Sequence, residues 1–423
     1  MLKLTFVILL SLLLCLRLFL FYHNRETFND SQKVTLEAVL LTEPQIKGRL
    51  QRFSIRAPNG QRIFISTAVY PRYHYGEELT FAGIVQKSKT GVYFLSFPSI
   101  SRKVNQNLFG NLFSFLGLFR GHIITFFQKI LPSTSAGLLL GIVFGIREQI
   151  PNEFANALRS SGMLHVVAAS GMNVSIIISM LAAFSIRFFK RKYALMLVIP
   201  VVLFYCLLAG FDPPIVRACI MGILAIAASL FGRQYFGLLA LAMSAYIMLF
   251  IWPYLPFDIG FQLSFMATLG IIMVKPVLLS NFSGGVSLRS KETPLKTWKR
   301  LLMLPVDDIR ITIAAQIATL PILLFSFGQY GVLSLLANAV TLWMVPILMA
   351  LGLLAALISF VVSPLAQGIL FLTLPLLLFF EQTVMLIGSF HADITFHIPM
   401  AMVVGYYFLL GAGVILQNKK RKS

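Results

Sequence analysis

The chain has 423 residues, a mean hydropathy of +0.84, and 58% hydrophobic but only 12% charged residues. Soluble globular proteins are about half apolar and a quarter charged, so this composition excludes a soluble enzyme and equally a disordered chain. A membrane protein with several spans remains. Its 35 Lys and Arg against 15 Asp and Glu give a net charge of +20. Such an excess suits cytoplasmic loops, anionic lipid or a polyanionic cargo.

The amino-terminal residues 1–22 are predicted to form a transmembrane anchor. Leu4–Tyr22 is long enough to span a bilayer, and only Arg17 interrupts its apolar run. No small-residue cleavage site follows, so we interpret the segment as an uncleaved anchor. The three cysteines of the chain lie in apolar runs, which indicates buried side chains rather than a disulfide framework.

Residues 31–104 have the composition of a water-soluble module. Pro58-Asn59-Gly60 joins two β-like runs and is a strong hairpin signal. In all, five short runs are predicted as strands, starting at Val34, Arg49, Gln61, Glu78 and Val92. This number predicts a small all-β barrel of the OB kind, with a five-strand sandwich and an SH3-like barrel as alternatives. Eleven Lys and Arg against four Glu give the module a net charge of +7.

The basic module carries a candidate nucleic-acid surface. In the run RFSIR the cations alternate with apolar residues, which directs them to one face of a strand. The segment YPRYHYG adds rings, and cations mixed with stacking rings are typical of single-stranded nucleic-acid binding. Contact with lipid headgroups is the alternative. The predicted DNA-binding residues are Arg52, Arg56, Arg72, Tyr73 and Tyr75.

Residues 108–131 are rich in Phe but also carry polar residues and glycines, which favours an amphipathic helix at the membrane interface. Residues 134–418 are predicted to form the transmembrane domain, followed by a basic tail at 419–423. The fold class is thus a mainly α bundle of about 9–11 spans plus the small β module. Spans are predicted near 165–186, 193–210, 215–231, 236–251, 259–275, 310–327, 340–361, 366–388 and 399–416, with shorter, re-entrant helices within 134–162 and 331–339.

Loop charges predict the orientation of these spans. Cations cluster at 187–192, 289–300 and 419–422, whereas the loops 211–214, 252–258 and 391–399 hold almost none. Assigning the basic loops to the cytoplasm alternates the sides along every span. The β module is then outside the inner membrane of a bacterium, and the carboxyl terminus is cytoplasmic.

Polar groups inside a bilayer are costly, so those in the spans are candidates for function. The run GMLHVVAASGMNV holds His165, Ser170, Gly171 and Asn173, of which the first and last share a helical face if the helix is unbroken. A pore-lining role and a helix-packing role both remain open. A hydrolytic His–Ser pair is disfavoured because no acidic residue lies nearby and no nucleophile elbow is present.

Further candidates lie in the later spans. Arg217 either extends to lipid phosphates or faces inward, where its planar fork suits a passing phosphate. Asp258 is predicted to cap a helix and, as a testable contact, to pair with Arg217. Interrupted helices at membrane depth line cavities or are buried in protein. On this basis we add Gln316, Thr319, Gln329 and Asn338. Gln262 and Ser264 are candidates because they interrupt an apolar helix, and Glu381 is a lone carboxylate in the penultimate span, for which paired structural burial and a lining role both remain open.

Motifs for nucleotides and metals are absent from the sequence, including GxxxxGK[ST], HExxH and CxxC. We therefore expect no cofactor, no metal site and no enzymatic activity.

Several motifs, taken in order, resemble the ComEC family of competence proteins. They are GLLLGI, SSGMLHVVAASGMNVS, FDPPIVRA, FDIGFQLSFMATLGI, AAQIATLPILLFSFGQYG and LLAN, behind the basic β module. The resemblance covers most of the chain. It implies a polytopic inner-membrane channel that passes one DNA strand into the cytoplasm during natural transformation. The family positions carry over as His165, Ser170, Gly171, Arg217, Asp258, Gly260, Gln262, Ser264, Gln316, Pro321, Gln329 and Asn338.

The resemblance also implies partners: single-stranded DNA, a periplasmic DNA receptor, and a cytoplasmic translocase or strand-binding protein. Membrane lipid is a further partner, and a homo-oligomer stays open. The sequence departs from the family in two ways. Asn173 stands where a second histidine is common, and no metallo-β-lactamase-like domain follows the last span. A nuclease role is therefore not expected.

The sequence thus predicts a channel for single-stranded DNA without chemistry of its own. A transporter of small anionic solutes and a non-conducting scaffold of an uptake complex are the alternatives.

Overall fold

The computed structural model describes residues 2–25, 28–88, 92–102, 108–167, 170–274, 295–331, 333–390, 393–396 and 398–420. Within 295–310 and 417–420 only the backbone is described. The basic clusters predicted at 289–300 and 419–423 therefore lie outside the described side chains.

The amino-terminal β domain is one sheet of seven strands in the order β1-β5-β6-β4-β3-β2, with β7 added beside β5. All pairs are antiparallel except β4 with β6, which run parallel. The strands are β1 (Gln32–Val39), β2 (Gln45–Lys47), β3 (Leu50–Arg56), β4 (Arg62–Ala68), β5 (Glu78–Lys87), β6 (Tyr93–Ser96) and β7 (Ser99–Arg102).

The five predicted strands correspond to β1, β3, β4, β5 and β6, and the short strands β2 and β7 were not predicted. Residues alternate between buried and accessible along β3 and β4, because one face of each strand covers the core of the domain. The predicted hairpin joins β3 to β4, with Gly60 in the left-handed conformation at φ 81°. The assignment of the domain to the OB kind stays a prediction.

The rest of the described chain is mainly helical. A long apolar helix, α1 (Leu2–His23), precedes the β domain. After the β domain come α2 (Leu108–Ile130), α3 (Ser133–Phe144), α4 (Asn152–Ser160), α5 (Leu164–Val167), α6 (Gly171–Phe188), α7 (Arg191–Leu208), α8 (Pro213–Leu230), α9 (Gly237–Ile251), α10 (Ile259–Met273), α11 (Leu295–Phe327), α12 (Ser334–Thr341), α13 (Val345–Ile358), α14 (Ser363–Ser389) and α15 (Met400–Lys420). Two short strands, β8 (Gln329–Gly331) and β9 (Asp393–Thr395), pair antiparallel.

Among the described residues, five helical segments are long and apolar enough to cross a membrane, and six shorter apolar helices accompany them. A mainly helical multi-pass membrane protein with a small β domain is thus confirmed. The predicted span 165–186 differs from the structure, because α5 ends at Val167 and α6 begins at Gly171. His165 and Asn173 therefore belong to two different helices. The prediction that they share one helical face required an unbroken helix, and it is wrong. The short helix predicted at 331–339 corresponds to α12 at Ser334–Thr341, and Gly331 belongs to the strand β8 instead.

The β domain contacts the helices through the loop before β5. The Tyr75 hydroxyl donates a hydrogen bond to the carbonyl oxygen of Leu207 (2.6 Å), at the end of α7. The guanidinium of Arg120, on α2, lies over the Tyr75 ring at 4.5 Å and donates to the carbonyl oxygen of Leu208 (3.0 Å). Tyr75 and Arg120 are both almost fully buried. This contact joins the β domain, α2 and α7 in one hydrogen-bonded junction.

Helix α2 crosses the ends of other helices. Besides Leu208, its polar partners are Glu148, 3.9 Å from the Arg120 guanidinium, Gln149, bonded to Gln128, and Ser359, whose hydroxyl lies 3.3 Å from the His122 ring. These partners lie at the ends of helices or in the loops that follow them. The position of α2 at the membrane interface stays a prediction.

Alkaline pH is expected to weaken the junction at Tyr75. Burial raises the pKa of Tyr75 to about 12, from a usual value of 10.0. The folded state therefore holds this proton more tightly than the unfolded state, so its stabilising contribution is complete below pH 10 and falls as the pH rises toward 12. Proteolysis of the β domain in detergent should accelerate over this range. Tyr75→Phe should weaken the junction at neutral pH and remove this part of the pH response; an unchanged response would contradict the assignment.

Candidate functional site

Arg217 is a buried cation in the second turn of α8. It is 8% exposed, and its Nη1 donates to the carbonyl oxygen of Ser264 and to the hydroxyl of Thr268, both on α10. Its Nε is buried without a hydrogen-bond partner. Within the described part of the chain no carboxylate lies within ion-pairing distance of it. A buried cation without a counter-ion is costly, and an anion bound beside it would offset that cost.

The amino terminus of α6 lies against the same arginine. A Cβ added at Gly171 would lie 2.5 Å from Nη2 of Arg217, so only glycine permits this approach without movement. The amino terminus of a helix carries partial positive charge and free N–H groups. Two positive features are thus adjacent, and both favour an anion.

Asn173 fixes the start of α6 to α3. It is fully buried, and its Nδ2 donates to the carbonyl oxygen of Ile142 (2.7 Å), while its Oδ1 accepts from the Ser170 hydroxyl (3.1 Å). Its hydrogen-bonding groups are therefore satisfied within the protein. Asn173 and Ser170 hold the helix end beside Arg217, which is the packing role that the sequence left open.

The first turn of α10 is fixed by two predicted residues. Asp258 caps the helix, with Oδ1 accepting from the backbone N–H of Phe261 (3.1 Å), as predicted. Gln262 donates to the carbonyl oxygen of Pro256 (2.7 Å). The predicted pairing of Asp258 with Arg217 is wrong, because Oδ2 of Asp258 instead accepts from Arg56 of the β domain at 2.9 Å. Asp258 therefore connects the two parts of the protein.

A second group of predicted residues lies where helices are interrupted. Gln316 of α11 donates to the hydroxyl of Ser334 at the start of α12 (3.2 Å). Ser334 also lies against Gly162, which follows α4 and has φ 69°. Gln329 occupies β8, opposite Thr395 of β9. The structure thus brings α4, α11, α12 and the β8–β9 pair together at one place.

Two more polar residues belong to this region of broken helices. His165, on α5, has its Nδ1 at 2.9 Å from the carbonyl oxygen of Gly162 and keeps an accessible side chain, although Val166 and Val167 are buried. Asn338 of α12 is 2% exposed, and its Oδ1 lacks a partner among the described residues. An accessible imidazole and an unsatisfied amide are groups that a polar ligand would contact.

The last two candidates in the spans are satisfied locally. The Thr319 hydroxyl donates to the carbonyl oxygen of Ala315 in its own helix (2.9 Å). Glu381 of α14 accepts from the Ser135 hydroxyl of α3 at 2.5 Å. These bonds explain how both polar groups are tolerated, and Glu381 links two helices.

The β domain separates the predicted DNA-binding residues into two sets. Arg52 and Arg72 are exposed, and Arg56 is partly exposed. Tyr73 is 6% and Tyr75 1% exposed, because both rings are packed inside the protein. Neither ring is available to stack on a base, so these two residues do not form the predicted surface.

Sequence reasoning missed Arg62 and Arg120. Arg62 lies directly opposite Arg56 across the β3–β4 hairpin, a position that the Pro58-Asn59-Gly60 turn would have indicated from its register. Arg120 gave no such signal, since none of its partners, Tyr75, Glu148 and Leu208, is near it in the sequence.

Comparison with known proteins supports the family that the motifs resemble. The family model described as "Competence protein" matches residues 142–420. "ComE operon protein 3" of Bacillus subtilis (strain 168) is 29% identical over 220 residues, which cover 52% of this chain and 26% of that protein. An "Uncharacterized protein" of Aquifex aeolicus (strain VF5) is 29% identical over 215 residues, covering 50% of each chain. No solved structure matches.

The match thus spans at most half the length of these curated relatives. The family model, in contrast, covers well over half of this chain and includes every described helix from α4 to α15. It contains both groups of polar residues described above, around Arg217 and around Gln316. The chain is therefore a member of the competence-protein family.

Proposed function

We propose that this protein acts in DNA uptake for competence as a channel that conducts a single DNA strand across the cytoplasmic membrane. The observation that carries the proposal is Arg217. A buried guanidinium beside a helix amino terminus, with no carboxylate partner among the described residues, suits a phosphate that passes by. A polyanion needs such polar contacts because the bilayer itself offers none.

The position of the β domain supports an outward orientation. Tyr75 bonds to the end of α7, just before the loop 211–214, and Arg56 bonds to Asp258 in the loop 252–258. Both loops are nearly free of Lys and Arg, whereas the turn between α6 and α7, with the helix ends beside it, carries Arg187, Lys190, Arg191 and Lys192. By the positive-inside rule the β domain then faces outward, where incoming DNA arrives.

The mechanism that we propose requires an external source of work. The sequence holds no nucleotide-binding loop, so a cytoplasmic translocase would pull the strand, and an outer receptor would deliver it. Polar groups at the broken helices, including His165, Gln316 and Asn338, would line the path. The protein itself contributes binding and guidance and catalyses no step.

The test is entry of labelled DNA into the cytoplasm of cells that lack this protein. We expect DNA to bind at the cell surface as before but not to enter, and the wild-type gene should restore entry. Unchanged entry would overturn the channel. Entry that fails on deletion, but is normal for Arg217→Ala and Gln316→Ala, would favour a scaffold instead. Uptake of small anions that is lost together with DNA entry would favour a solute transporter.

A further inference from the structure

A cleft of about 180 Å³ lies at the junction between the β domain and the helices. A water molecule occupies roughly 30 Å³ of liquid, so the cleft has room for a hydrated phosphate group. The residues that line it and carry the argument are Arg25, Arg56, Arg62, Tyr254, Phe257 and Asp258. Three cations thus face one carboxylate.

The lining of this cleft holds more cations than carboxylates. Arg56 and Arg62 are directly opposed in the β3–β4 hairpin, and like charges in that position destabilise a sheet. Asp258 pairs with Arg56 alone, at 2.9 Å. Arg62 has an accessible side chain. Partial desolvation and the neighbouring charge of Arg56 lower its pKa, and Asp258 and Asp212 offset part of this effect. A bound anion would remove the repulsion.

Arg25 adds a second, independent indication. Its Nε is buried without a hydrogen-bond partner among the described residues, although its side chain lines the cleft. An unpaired buried donor is costly, and a phosphate oxygen would satisfy it. The guanidinium of Arg56 lies over the Tyr254 ring at 4.4 Å, which holds it at the cleft.

Two exposed rings continue the same face of the sheet. Phe64 follows Arg62 by two residues on β4, and it is the register partner of Phe94 on β6. The rings are 40% and 39% exposed, and their centroids are 5.8 Å apart. The guanidinium of Arg62 lies 6.0 Å from the Phe64 ring. Exposed rings beside cations form the combination that binds bases and phosphates of single strands.

We propose that this surface, the arginine cleft with the Phe64–Phe94 pair, is a binding site for single-stranded nucleic acid on the outer side of the protein. Phosphates occupy the cleft, and bases stack on the two rings. The site rests on the proposed function, since DNA is the strand that it would receive. In this site Phe64 and Phe94 take the stacking role that the sequence predicted for Tyr73 and Tyr75, whose rings are buried.

The experiment measures binding of a fluorescent oligothymidylate of about 16 nucleotides, a length within the range for such domains, to the full chain in phosphatidylcholine nanodiscs. Fluorescence anisotropy is recorded at several salt concentrations. Arg25→Gln with Arg62→Gln should weaken binding about tenfold and reduce the slope of log affinity against log salt by about 0.7 for each arginine. Phe64→Ala with Phe94→Ala should weaken binding by roughly tenfold or more without changing that slope.

Two further variants test whether the charges of the cleft itself determine binding. Asp258→Asn removes the competing carboxylate and should tighten binding severalfold. Lys33→Gln removes one exposed cation of β1, outside the cleft, and should leave affinity nearly unchanged. An oligonucleotide with an uncharged methylphosphonate backbone should lose the dependence on the arginines. Thermal unfolding of each variant shows whether it is folded.

Equal affinity of wild type and both double variants would overturn the site. A second result would also overturn the site. If the wild-type protein retains phosphatidylglycerol, the arginine variants lose it and oligonucleotide binding is unchanged, the cleft holds a lipid headgroup. Failure of the channel is separately visible: DNA would enter cells lacking the protein, while the binding measured here could persist. Conversely, the cleft variants could bind the oligonucleotide normally while Arg217 variants no longer admit DNA. That result would contradict the binding site at the cleft and still support the channel.

Discussion

Arg217→Gln is expected to lower DNA entry into the cytoplasm about ten- to a hundredfold, the factor that follows from about 1.5–3 kcal/mol for a hydrogen bond to a charged group. The folded protein should not lose stability to the same extent. Arg217 is buried without a carboxylate partner among the described residues, so its replacement removes a desolvated charge as well as two hydrogen bonds. Entry is measured with labelled DNA, and stability by thermal unfolding in detergent.

Matched variants separate charge from geometry at this position. Arg217→Lys keeps the charge but loses the planar fork, so intermediate entry is expected. Thr268→Val removes one acceptor of Arg217 and leaves the cation in place, so entry should fall only slightly. Normal entry in a folded Arg217→Gln protein would show that the buried cation has a structural role and would remove the main support for the channel.

Gly117→Ala is expected to weaken attachment of the β domain to the helices, whereas Gly121→Ala is not. Both glycines lie on α2, one helical turn apart. A Cβ at Gly117 would overlap the backbone oxygen of Tyr75, while one at Gly121 has no neighbour within 4 Å. Overpacking against backbone costs about 1–3 kcal/mol, and alanine in an open helical position gains roughly 1 kcal/mol over glycine.

Thermal unfolding and limited proteolysis of the β domain in detergent measure this difference. Gly117→Ala should unfold at lower temperature and be cleaved faster than wild type, and Gly121→Ala should match or exceed wild type. DNA entry should follow the same order if the β domain must be held at the membrane domain. Equal behaviour of the two variants would contradict the contact between α2 and the loop at Tyr75.

Local patterns in the sequence were sufficient for most elements. Strands β3 and β4 follow from alternation of apolar and polar residues around a Pro-Asn-Gly turn, and both properties depend on neighbours within a few residues. Most helices of the membrane domain follow from length and hydropathy. The cap at Asp258 is local as well, because donor and acceptor are three residues apart.

The contacts of the candidate site were predicted less well. The partner of Asp258 is Arg56, some 200 residues earlier, and hydropathy contains no information about such a pair. Tyr73 and Tyr75 were expected on a surface because they accompany cations, yet packing against the core and α2 buries them. The break before α6 was missed because the run from His165 to Asn173 is apolar enough for one helix.

The sequence by itself determined the class of this protein: its hydropathy requires a membrane, its alternation requires a β domain, and its ordered motifs indicate the family. Hydropathy is a sum over neighbouring residues, alternation is a period along them, and a motif is a short run of them, so each can be read without the fold. Only the tertiary structure decided which polar groups are satisfied and which are not. Asn173 and Glu381 have partners on other helices, while Arg217 and Arg25 keep buried donors without one. The physical reason is that the cost of burying a polar group depends on atoms brought together from distant parts of the chain.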